Sequence, residues 1–358
     1  MSLDHYRLLG RSGLKVSPLV LGAMTFGEVW GADEDTSRRI FDHYVAQGGN
    51  FIDTAGYYAH GRSEELTGQF AAQKRDQLVL STKYSLAVEP GDPNAAGNSR
   101  KTMVRSVEDS LKRLRTDHID IYHIHEWDGQ TPVEETMEAL HTLQQQGKIR
   151  YAGCSNYTAW QLMKSLMASE KPGRARFVTQ QIHYTLEARE AEYELLPLAV
   201  DQKLGVQVWS PLAAGLLTGK HRRGSAAPKD SRQAAGWNEP PIRDMERLWK
   251  IVDCLVEIAD AHGATPAQVA LAWLLTRPAI SSLVVGGRTE AQFTENFGAL
   301  SLTLTEEDLN KLNDVSRLPL IYPYWHQHNF ALPRFGHADK ALHDSYPDRH
   351  YGGDDPLI

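Results

Sequence analysis

Short runs of apolar and β-branched residues alternate along the chain with longer stretches in which apolar positions recur at helical spacing. The short runs are PLVLG near position 20, NFID at 50, QLVLSTK at 77, HIDIYHIH at 118, IRYAGCS at 149, RFVTQQ at 176, GVQVWS at 205 and SSLVVGG at 281. Among the longer stretches, RKTMVRSVEDSLKRLR repeats Val104, Val107, Leu111 and Leu114 and predicts a helix with that face buried. Eight strand-like runs, each followed by a helix and with no break in composition, predict one (β/α)8 barrel domain over 1–358. The barrel is expected over about 15–316, with 317–358 as a C-terminal tail. A doubly wound sheet would usually carry G-x-G-x-x-G after its first strand, and no such match exists. Ahead of the first barrel strand, YRLLGRSGLKVS reads as a hairpin closing the barrel bottom. Residues 218–243, rich in Gly, Pro, Arg and Ser, read as a long loop after the seventh strand.

Composition narrows the function classes. At 358 residues and 41% hydrophobic content the chain has ample core material. It shows neither a charged leader followed by an apolar stretch nor an apolar run long enough to span a bilayer, so a cytoplasmic protein without membrane attachment is expected. Two cysteines, Cys154 and Cys254, are too few for a disulfide framework or a structural zinc site, in keeping with a reducing compartment. A net charge of -7 argues against a nucleic-acid partner. The basic cluster KHRRG, 220–224, is the main local exception.

In a barrel of this kind, chemistry sits at the C-terminal ends of the strands. The second run ends in Asp53 and leads to Tyr58, the third ends with Lys83, and the fourth ends at His125. A free phenol, with a pKa of about 10, exchanges protons poorly at neutral pH unless a neighbour stabilises its charged form. A lysine ammonium held by a carboxylate supplies that neighbour, and a histidine orients the carbonyl oxygen that the phenol protonates. Trp30 and Trp127, in the loops after the first and fourth runs, are candidates to line a substrate pocket. His123 and His125 alternate onto one strand face, as metal ligands would. A metal-dependent barrel hydrolase would need further ligands at later strand ends; none stands there, and no metal is expected. GLLTGKH has the wrong spacing for a phosphate loop.

The segments NFIDTAGYYAHGRSEE, LSTKYS, IDIYHIHEWD, YAGCSNY, QQIHY, VWSPLAAGLLTGK and VVGGRTEAQFTENFGAL resemble, in order and spacing, the aldo-keto reductases, over roughly residues 6–315. The resemblance implies an NADPH-dependent carbonyl reductase with Tyr58 as general acid, tuned by Lys83 and Asp53, and His125 orienting the substrate. It further implies that Ser155, Asn156 and Gln181 hold the nicotinamide carboxamide and that Trp209 stacks on its ring. Ser210, Pro211, Leu212, Gly215 and Lys220 match the loop around the pyrophosphate, with Arg232 further along it. Gly286, Arg288, Gln292, Glu295 and Asn296 match the adenosine end, where an arginine suits a 2′-phosphate. Potassium-channel β-subunits resemble the same span and act mainly as regulatory partners. The hairpin begins within the first ten residues, leaving no long inactivating segment before it, which favours an enzyme. The likeness is strongest to the aryl-alcohol-dehydrogenase branch and implies aromatic or bulky small-molecule carbonyl substrates; an oligomer is compatible with it. The tail matches nothing; its Tyr322, Tyr324, Trp325 and Phe330 are expected to reach the barrel mouth as a substrate wall, the alternative being a strap over the barrel exterior.

Overall fold

Two short strands, β1 (Arg7–Leu8) and β2 (Lys15–Val16), pair antiparallel. The turn between them requires glycine at position 10. Its φ is 55°, and a Cβ there would lie 2.4 Å from both the Gly205 amide and the Val178 carbonyl oxygen. The close approach lets Leu9 and Val16 pack with Val20, Phe51, Val79 and Ile121, so the hairpin stoppers the N-terminal end of the barrel. The computed structural model describes residues 2–27, 31–88, 91–170, 174–224, 231–234, 236–237 and 239–346. Trp30 lies outside them, as do residues 225–230, 235 and 238 of the 218–243 segment.

The barrel strands are β3 (Leu19–Gly22), β4 (Phe51–Asp53), β5 (Val79–Tyr84), β6 (Ile119–Ile124), β7 (Ile149–Ser155), β8 (Phe177–His183), β9 (Gly205–Trp209) and β10 (Ile280–Val285). All pair in parallel and in chain order, and β10 pairs with both β9 and β3 to close the ring. The outer helices are α1 (Glu34–Ala46), α2 (Arg62–Ala71), α3 (Arg100–Leu114), α4 (Val133–Gln145), α5 (Ala159–Ala168), α6 (Leu195–Gln202), α7 (Met245–His262), α8 (Pro266–Leu275), α9 (Glu290–Glu295) and α10 (Glu306–Ser316). Helix α3 shows a correction to the expected face. Met103, Val107, Leu111 and Leu114 are buried, while Val104 is exposed, because the four-residue step from Met103 to Val107 follows the helical turn more closely. Among the described residues no helix is long and apolar enough to cross a membrane.

The tail forms α11 (Tyr324–Ala331) and α12 (His337–His343) and does not build the expected wall. Helix α12 packs against α6, which has only 8 residues and leaves barrel flank to be covered. Tyr324 stacks on Tyr193 at 5.4 Å and donates to Glu194 at 3.2 Å. Ser345 accepts from the buried Arg189 and from Arg277, each at 3.1 Å. Tyr322, Trp325 and Phe330 stay exposed. The reason is long-range: partners on the loop before α6, together with Arg277 after α8, hold the chain after it leaves α10. Truncation after Arg317 should therefore lower stability, by about 2 kcal/mol or more from uncovering the apolar surface under Leu342 alone, and reduce activity toward small and bulky aldehydes alike. Thermal melting beside rates on one small and one bulky aldehyde checks this; selective loss of the bulky substrate would restore the wall.

Candidate active site

The barrel brings the strand ends to one rim. Asp53 ends β4, Lys83 is next to last in β5, His125 follows β6 directly, Ser155 ends β7, Gln181 lies near the end of β8 and Trp209 ends β9. Lys83 and Asp53 are both buried, with Lys83 Nζ 2.5 Å from Asp53 Oδ2. The ammonium also donates to the Thr54 carbonyl at 2.9 Å and to the Tyr58 hydroxyl at 3.3 Å. The second Asp53 oxygen accepts from Ser81 Oγ at 2.6 Å and Gln181 Nε2 at 3.1 Å. Neither Ser81 nor this use of Gln181 was read from the sequence. Ser81 stands two residues before Lys83, so strand alternation puts both on one face, which is the signal that would have found it. Gln181 also donates to Gln207 at 3.3 Å, and Gln207 Nε2 lies 3.1 Å from His123 Nε2, which carries the polar layer into the barrel interior.

Burial disfavours the Lys83 charge, but Asp53 and Tyr58 outweigh it and raise its pKa above the ordinary lysine value. Burial likewise works against the Asp53 carboxylate, yet Lys83 holds it below the usual range. The pair therefore stays ionised. For Tyr58 burial is the largest influence and raises the pKa; Lys83 opposes it without reversing it. Lys83 stabilises the charged form as expected, but burial outweighs it, and the hydroxyl keeps its proton at neutral pH. The His125 ring stands edge-on to Tyr58 with centroids 5.9 Å apart. Burial, aided by Lys83, lowers its pKa to about 3, so the imidazole is neutral, and its buried Nδ1 has no hydrogen-bond partner among the described residues.

Asn156, in the left-handed region at φ 57°, donates to the His125 carbonyl at 3.1 Å and to Glu126 at 2.8 Å, and accepts from Trp209 Nε1 at 3.0 Å. Ser155 Oγ donates to the Gln181 carbonyl at 2.9 Å. The half-buried Trp209 lies 4.5 Å from the His183 ring. Beyond it Ser210, Ala213, Ala214 and Gly215 all take positive φ, a strained turn containing Pro211 and Leu212. In the basic cluster Lys220 is exposed, and Arg223 bonds both carboxylate oxygens of Glu246 at 2.8 Å. Burial, and then the positive charge of Arg288, hold Arg232 below the usual guanidinium value. Gly286 and Arg288 follow β10; the Arg288 amide donates to Gln292 Oε1 at 3.2 Å, and buried Asn296 Nδ2 donates to the Gln292 carbonyl at 3.3 Å. Glu295, ending α9, accepts from Gln268 through its carbonyl at 2.7 Å. Trp127 meets Tyr157 and Trp160 edge-on at 5.1 and 5.7 Å. Among the described residues no group of three or more His, Cys, Asp or Glu is placed to hold a metal ion.

The model of the Aldo/keto reductase family matches residues 18–317. The chain belongs to that family. This aldo/keto reductase is 40% identical to the uncharacterized oxidoreductase YrpG of Bacillus subtilis, over 87% of this chain and 95% of that protein. It is 33% identical to an NADP(+) aryl-alcohol dehydrogenase of Phanerodontia chrysosporium, over 94% and 93% of the two chains. A probable voltage-gated potassium channel subunit beta of Arabidopsis thaliana is 38% identical over 87% and 96%. Family membership makes this aldo/keto reductase an oxidoreductase.

Proposed function

We propose that this aldo/keto reductase reduces aromatic or bulky aldehydes and ketones with NADPH, with Tyr58 as the proton donor. The observation that carries the reading is the chain Asp53–Lys83–Tyr58, in which a buried ion pair leads to a half-buried, protonated phenol beside a neutral imidazole. NADPH held at this rim would supply the hydride for the carbonyl carbon. Neutral His125 has one N–H to offer the carbonyl oxygen and orients it toward Tyr58. Tyr58 gives up its proton as negative charge grows on that oxygen, and Lys83 stabilises the phenolate left behind. Trp127 and its aromatic neighbours suit a flat substrate. The cytoplasmic reading rests on the two buried free cysteines.

The cation pair supports the coenzyme assignment. The positive charge of Arg288 acts on Arg232, two such cations suit a phosphate dianion, and arginine binds phosphate through charge-assisted hydrogen bonds. Ser155, Asn156, Gln181 and Trp209 are proposed for the nicotinamide end, the 210–220 segment for the pyrophosphate, and Gly286 with Gln292, Glu295 and Asn296 for the adenosine end. NADPH oxidation by an aromatic aldehyde tests the activity directly. Arg288→Ala should weaken NADPH roughly 10- to 100-fold and NADH little, since a charge-assisted contact is worth about 1.5–3 kcal/mol. Equal losses for both coenzymes, measured by fluorescence quenching, would remove Arg288 from the phosphate site.

A further inference from the structure

The segment that carries Tyr58 is held from below by an arginine outside the set assigned so far. Ala59, His60 and Gly61 follow the tyrosine with φ of 48°, 51° and 93°, three left-handed residues in a row that no regular hydrogen-bond ladder maintains. Two glycines flank Tyr58, and both face Arg113 from α3. A Cβ at Gly61 would come within 2.7 Å of Arg113 Cδ, and one at Gly56 within 3.1 Å of Arg113 Nη2. One side chain thus supports the segment on both sides of the tyrosine.

Arg113 is itself fixed. Its Nε donates to Glu64 Oε2 at 2.6 Å, and the other Glu64 oxygen accepts from Thr82 Oγ1 at 2.5 Å. The Glu64 side chain is fully buried and that of Arg113 is 23% exposed, so charge-assisted hydrogen bonds fix the pair largely out of water. Thr82 precedes Lys83 on β5, and the Gly56 amide donates to the Lys83 carbonyl at 3.2 Å. The chain Arg113–Glu64–Thr82 therefore ties the strand bearing the ammonium to the segment bearing the phenol.

We propose that Arg113, locked by Glu64, is the positioning residue that keeps the Tyr58 hydroxyl 3.3 Å from Lys83 and aimed at the substrate. The inference rests on the reading of Tyr58 as proton donor. Misplacing a reacting group by about 1 Å costs up to about 10²-fold in rate. Arg113→Met should therefore lower kcat roughly 10- to 100-fold while the carbonyl KM and the NADPH Kd stay within about two-fold. Arg113→Lys, which keeps a cation near Glu64, should recover part of the loss. Wild-type kcat in Arg113→Met, or parallel damage to kcat, KM and Kd, would overturn the proposal, because either result makes Arg113 structural only. If Arg113→Met does not bind NADPH, Glu64→Gln carries the test: it preserves shape, removes the charge that holds Arg113, and must show the same selective fall in kcat. Tyr58→Phe run alongside separates the two ideas. If it is inactive while the Arg113 and Glu64 variants match wild type, only the positioning role fails; if it stays active, the proton-donor reading falls and takes this proposal with it.

Discussion

Tyr58→Phe should lose carbonyl reduction by at least about 10²-fold while binding NADPH as the wild type does. The phenylalanine ring preserves the edge-on packing against His125 and deletes only the hydroxyl that receives the Lys83 hydrogen bond. Nothing in the proposed nucleotide contacts passes through that oxygen, so the effect belongs in the rate and not in coenzyme affinity. The pH dependence sharpens the test. Because Tyr58 titrates above the ordinary phenol value, the wild-type proton donor stays loaded through neutral pH and is lost only on the alkaline side. His125, held at about 3, should add no inflection near the ordinary histidine value of about 6.5. Rates at saturating NADPH across pH, with fluorescence quenching for binding, check both points. Retention of most activity in Tyr58→Phe would remove the mechanism.

Lys83→Met should be damaging twice over. It strands the Asp53 carboxylate, which is 2% exposed, with Ser81 and Gln181 as its remaining hydrogen-bond donors, and breaking a buried pair from one side typically costs about 3–5 kcal/mol. It also removes the charge that stabilises the Tyr58 phenolate, for a further rate loss on the order of 10²-fold. The two effects separate in Lys83→Met combined with Asp53→Asn. With both charges gone the desolvation cost disappears, so the double variant should regain most of the stability in a denaturant melt and none of the activity. Recovery of activity together with stability would mean that Lys83 serves only to neutralise Asp53.

The barrel was legible because each strand and helix is decided by patterns a few residues long. Asp53, Lys83 and His125 could be placed on one rim once the strands were counted, since a parallel barrel sends every strand end the same way. Even Gly10 announced a turn, though only the packing of its Cα against Gly205 and Val178 shows why no other residue fits. What stayed hidden depends on contacts between segments far apart in the chain. Val104 was assigned to the buried face of α3 because periodicity marks a face to within one position, and the neighbouring helices decide its centre. The upward shift of Tyr58 follows from the desolvation the fold imposes on a partly buried phenol, a quantity that spacing to Lys83 does not contain. The tail's aromatic content suited a substrate wall, but where it packs was settled by Tyr193, Glu194, Arg189 and Arg277, which meet it only after the barrel has closed. Nothing in the sequence singles out Glu64 and Arg113, and only their contacts with Thr82 and the glycines around Tyr58 make them a unit. The sequence by itself determined the elements, their order and the residue types at the strand ends, because local periodicity and turn chemistry encode them. The tertiary structure alone decided burial, charge pairing and the course of the tail, because those arise from long-range packing.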